Sequence, residues 1–96
     1  MADFSERTER ILAEMAKEPT GWARLDLETV LTGCGLIHKV ALGQAFWRWS
    51  HERHRDLWVM IDSRRLNVGP DQILHALGVV DRLRQRLAGG AQGGTE

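Results

Sequence analysis

His51 and His54, three residues apart, are the side chains best suited to acid–base chemistry. Imidazole titrates near neutrality, and a pair can take a proton from one atom and return it to another, as ribonuclease-type cleavage requires. Both stand in a wholly polar run, His51-Glu52-Arg53-His54-Arg55-Asp56, which reads as a hairpin loop. A hairpin tip holds little geometry, so they are weak catalytic candidates. A His-x-x-His metal site needs two further ligands, which are not evident nearby; no metal and no cofactor is expected. His38 and His75 are isolated and read as hydrogen-bonded structural residues. Cys34 is the one cysteine. It can form no internal disulfide, has no CxxC pattern to activate it, and reads as a small buried hydrophobe in a reducing compartment.

The second group able to do chemistry is aromatic and cationic. Trp47, Trp49 and Trp58 stand among Lys39, Arg48, Arg53, Arg55, Arg64 and Arg65. On an open sheet face, indoles beside arginines stack unpaired bases while the cations contact phosphates. The competing role is core packing. Trp47 and Trp49 share one strand face in a chain with few other large side chains, which favours burial beneath helices. Phe46 and Trp58 fall on the opposite faces of their strands and are the expected exposed pair, a ligand platform or a protein interface.

Charge adds a weak bias. The formal net charge is zero, but residues 1–35 hold four Lys/Arg against seven acids and residues 36–96 hold nine against six. That excess suits an anionic partner, yet falls well short of a dedicated nucleic-acid binder. Arg82, Arg84 and Arg86 are sufficiently explained as cations near a helix C-terminus.

These residues must be positioned by one small domain, expected over 1–88, with a flexible glycine-rich tail over 89–96. Phe4, Ile11, Leu12 and Met15 recur at helical spacing from Asp3 to about Lys17, with Ser5 or Asp3 as cap and Pro19 as stop. Leu27, Val30, Leu31 and Cys34 mark a second helix, with Asp26 as its expected N-cap and Gly35 as a left-handed end. Trp22 is the expected anchor between the two. The period then falls to two: Leu36–Leu42, Gln44–Ser50 and Leu57–Asp62 predict three short strands, paired antiparallel because their connections are too short for crossover helices. Ser63–Gly69 reads as a loop, and Gly69-Pro70-Asp71 opens a last helix running to about Ala88. The expected fold is α+β: two N-terminal helices, a three-stranded antiparallel sheet and a C-terminal helix on one sheet face. No apolar run approaches the roughly 20 residues that span a bilayer, and the N-terminus shows no secretory pattern. A cytoplasmic location without membrane association is expected.

This order of elements resembles the HicA family of small mRNA-interfering toxins, which have a double-stranded-RNA-binding-like fold. Trp22, the helix ending Leu31-Thr32-Gly33-Cys34-Gly35-Leu36, Gly43 at the second strand, and Val68-Gly69-Pro70-Asp71-Gln72-Ile73-Leu74 at the last helix carry the likeness, which covers roughly residues 7–88. The resemblance implies RNA as ligand and a HicB-type antitoxin as protein partner. The family's most specific motif is Gly-Ser-His at the second strand, whose histidine acts in RNA cleavage. Here Gly43-Gln44-Ala45-Phe46 keeps the glycine and lacks serine and histidine. Alanine cannot move a proton.

Three readings follow. The first is a HicA-like domain that binds RNA or an antitoxin-like protein without the usual histidine. The second is an active ribonuclease toxin using His51 or His54. The third is a protein-interaction module or homodimer, joined through a free sheet edge and the Phe46/Trp58 patch.

Overall fold

The computed structural model describes residues 4–89. The alternative cap Asp3 and the expected tail beyond Gly89 lie outside the described residues. Over the described residues the fold is mixed α+β, with three helices and antiparallel strands.

Helix α1 (Glu6–Lys17) starts where the Ser5 hydroxyl accepts the Thr8 amide, at 3.2 Å. That contact satisfies one of the first-turn donors that no helical carbonyl can reach. Helix α2 (Arg24–Gly33) begins three residues earlier than expected, with Ala23 at the cap position. Asp26 does not stand at the cap position; it lies inside the first turn and its carboxylate reaches back to the Ala23 amide, at 3.1 Å. At the other end Gly35 takes φ +89°, the Leu36 amide bonds the Leu31 carbonyl and the Gly35 amide bonds the Thr32 carbonyl. This closes the last turn through a left-handed residue, as the glycine suggested.

A two-stranded antiparallel ribbon joins β1 (Trp22–Ala23) to β5 (Asn67–Val68), with Trp22 opposite Val68 and Ala23 opposite Asn67. Part of the expected 63–69 loop is therefore strand. The Arg24 amide and guanidinium extend the join to the carbonyls of Leu66 and Arg65, at 2.8 and 2.7 Å. Trp22 serves as the anchor, its indole N–H bonding the Glu18 carbonyl at 2.7 Å.

The main sheet is β2 (His38–Ala41), β3 (Phe46–His51) and β4 (His54–Asp62), in that spatial order. Its register places Val40 beside Arg48 and Arg48 beside Met60. The expected polar loop over 51–56 shrinks to a turn at Glu52-Arg53. His51 and His54 pair across it, with a bulge between Ser50 and His51. Polarity misleads here: an all-polar run extends a hairpin if its backbone can continue the ladder, and a bulge absorbs the register mismatch.

Leu57, Val59, Ile61 and Trp49 line one face of the sheet and are buried. Leu12 and Met15 of α1, Leu27, Val30 and Leu31 of α2, and Ile73, Ala76, Val79, Val80 and Leu83 complete the same core. The last set belongs to α3 (Pro70–Ala88), which is tied along β4 at both ends. The Gln72 amide donates to the Met60 carbonyl at 2.8 Å, and Arg86 grips Asp56 through two bonds of 2.7 and 2.6 Å.

Candidate nucleic-acid interface

Because successive side chains alternate along a strand, the residues next to each member of the core set point away from the helices. That outer face carries the cross-strand rows His38–Ser50–Trp58 and Val40–Arg48–Met60, with Phe46 opposite Asp62. Trp58 is 41% exposed and Met60 43%. Arg48 lies between Val40 and Met60, and its Nε is buried with no hydrogen-bond partner. A guanidinium nitrogen left without an acceptor in that setting is costly unless an incoming group or water supplies one. Phe46 shares this face with Trp58, but the Arg48–Met60 row separates them, and Arg64 covers the Phe46 ring at 5.1 Å from its centroid.

The six cations expected to contact phosphate do not form one patch. Arg48 is central on the outer face. Arg64 bonds Asp62 at 3.0 and 3.1 Å, and Arg65 approaches the same carboxylate at 4.0 Å. The Arg64 bonds hold the Asp62 carboxyl below its ordinary pKa. Lys39 lies on the helix side of the sheet, its Nζ 4.6 Å over the Trp49 ring. Arg53 sits in the turn and Arg55 is exposed at the start of β4. Among the described residues, Lys39, Arg48, Arg53 and Arg55 have no carboxylate within ion-pair distance.

The two inward tryptophans divide. Trp49 is core at 6% exposure, whereas Trp47 is 38% exposed and borders a cleft of about 330 Å³ with Arg24, Glu28 and Lys39.

His51 and His54 are held more firmly than a loop tip would hold them, with ring centroids 5.1 Å apart and planes tilted by 47°. Their chemistry is nevertheless constrained. Burial first, then His54 and Arg53, push the His51 pKa below its ordinary value. The Arg53 amide donates to His51 Nδ1 at 3.0 Å. The single proton of the neutral ring therefore belongs on Nε2, and the one basic lone pair is already engaged. In that tautomer His51 donates and does not act as a base. Ala45, where the resemblance would look for a histidine, is buried, and its carbonyl accepts both the amide and the hydroxyl of Ser63. Among the described residues, no three His, Cys, Asp or Glu side chains gather as a metal site. Among the described residues, no helix is long and apolar enough to cross a membrane.

Sequence reasoning passed over Met60 and Val40 as site residues. The signal was present: Trp58-x-Met60 alternates with Leu57-x-Val59-x-Ile61, so Met60 had to face outward with Trp58.

No family model, no curated protein and no solved structure matches this chain.

Proposed function

We propose that this chain is a HicA-like RNA-binding domain that holds unpaired bases against the outer face of its three-stranded sheet and does not cleave them with a histidine. The observation that carries this reading is the pairing of half-exposed Trp58 and Met60 with Arg48, whose Nε has no partner, on a sheet face opposite the helices. An indole takes a base by stacking, and a guanidinium donates to a phosphate or carbonyl oxygen. Single-stranded RNA is the preferred form, since paired bases present no free ring face. The resemblance adds an antitoxin-like protein as the partner that would cover the same face. His51 in its donor tautomer supports the absence of histidine catalysis.

The test is a binding titration with short single- and double-stranded RNA, read by gel shift and tryptophan fluorescence. Trp58→Ala is expected to weaken single-stranded binding by about 1–3 kcal/mol, the usual worth of one stacked base. Arg48→Ala should weaken it as well, and His51→Ala should leave RNA intact and bound. Binding that ignores Trp58, or that prefers duplex, contradicts the reading.

A further inference from the structure

We propose that two copies of this chain join edge to edge through β2, about a two-fold axis at Val40, to make one continuous six-stranded antiparallel sheet. This stands independently of the RNA reading.

The sheet has two edges, and they differ. The β4 edge is occupied: Gln72 bonds the outward Met60 carbonyl and Arg86 fastens α3 to Asp56. Among the described residues, the β2 edge has no neighbouring strand. Its hydrogen-bond phase is fixed by the Leu42 amide, which donates to the Phe46 carbonyl across the β2–β3 ladder at 2.8 Å. By alternation Val40 and His38 also turn their backbone groups toward β3. Lys39 and Ala41 turn theirs outward to the bare edge. Exposed edges are ordinarily blunted by proline, a projecting charge, a bulge or a covering element. Proline is absent from β2, and Lys39 leans back over its own Trp49. Ile37 and Leu42 flank the strand at 52% and 48% exposure, unusually apolar for an edge left in water.

A second copy fits this edge better than an arbitrary strand because the edge complements itself. Pairing two antiparallel β2 strands about Val40 sets Lys39 opposite Ala41 of the second copy, so no like charges meet. His38 then faces Leu42 of the second copy. Val40, whose backbone groups face inward, meets its own symmetry mate as a non-hydrogen-bonded pair, with side chains in contact. Val40 and Leu42 of both copies form one apolar row on the outer face. The formal net charge of zero sets no repulsion against association.

Light scattering behind size exclusion, over a concentration series of the full chain, should show a species of twice 10.9 kDa. The register is read by two substitutions at Ala41, which is exposed and directs its amide outward. Ala41→Glu should tighten the dimer by roughly two- to thirtyfold, from two new opposite-charge cross-strand pairs, and Ala41→Lys should weaken it comparably. Val40→Cys should form an intersubunit disulfide on mild oxidation, since a non-hydrogen-bonded pair brings Cα atoms to about 4.5 Å. A chain that stays monomeric at millimolar concentration overturns the proposal. So does a dimer that ignores both Ala41 substitutions or leaves Val40→Cys reduced, because its interface lies elsewhere.

Discussion

At Cys34, burial outweighs the nearby Arg84 charge and pushes the thiol up to about 12 from its ordinary 9.0. The folded chain therefore keeps the proton where the unfolded chain loses it. Its contribution to stability is whole below pH 9 and drains away as pH rises toward 12, at no more than about 1.4 kcal/mol per pH unit. Tyrosine is absent, which removes one competing alkaline titration. Urea unfolding of wild type and Cys34→Ala at pH 8 and 10.5 should show the wild type losing more between the two; parallel losses would mean that the thiol is not shielded. The native thiol should also resist alkylation at pH 8 until denaturant is added. His51 has the opposite sign: with its pKa depressed in the fold, its contribution is present above the ordinary imidazole range and is lost as pH falls through that range. The inertness of Cys34 was legible in its place on an apolar stripe. The tautomer of His51 was not, because it depends on a turn only two residues long.

Gly33 shows how one position couples two elements. It closes α2 against the buried Thr8 of α1, where an added Cβ would collide with the Thr8 hydroxyl. Thr8 cannot swing aside freely, since its hydroxyl is bonded to Ser5 at 3.0 Å. Gly33→Ala should therefore cost about 1–3 kcal/mol, as overpacking does, despite alanine's better helix propensity. Adding Thr8→Ala should return part of that loss; a thermal or urea double-mutant cycle with no coupling would place the strain elsewhere. The three helices were readable because ten to nineteen residues sample the 3.6-residue period several times. The β1–β5 ribbon was not, since two residues per strand carry no period and only the fold brings Trp22 to Val68. The hairpin was sized wrongly for a related reason: His54, Arg55 and Asp56 gain their strand conformation from β3, not from their own propensity.

Across the whole molecule, a tally of charge in the second half of the sequence overstates what one ligand would meet. The sequence shows nine cations against six acids there, but not which of them are neutralised locally. Asp62 engages Arg64 and Arg65, Asp56 engages Arg86, and Lys39 faces the helix side of the sheet. Under the proposed reading, an RNA on the outer face would meet Arg48 at its centre and Arg53 at the turn, because Arg55 shares the strand face of buried Leu57. Neutralising two phosphates on a single strand gives a slope of roughly −1.4 in log affinity against log salt. A slope of about −3 would require the strand to reach round to Lys39 and Arg55 on the helix side, the first past a β2 edge that a β2-joined dimer would close. Asp62→Asn supplies the decisive comparison, because it releases Arg64 from its two carboxylate bonds without touching Trp58 or Arg48. The variant should bind more tightly at low salt, with a slope steeper by about 0.7 for each cation recruited. An unchanged slope would place the RNA away from the Phe46 corner, leaving Trp58 and Arg48 to hold it alone.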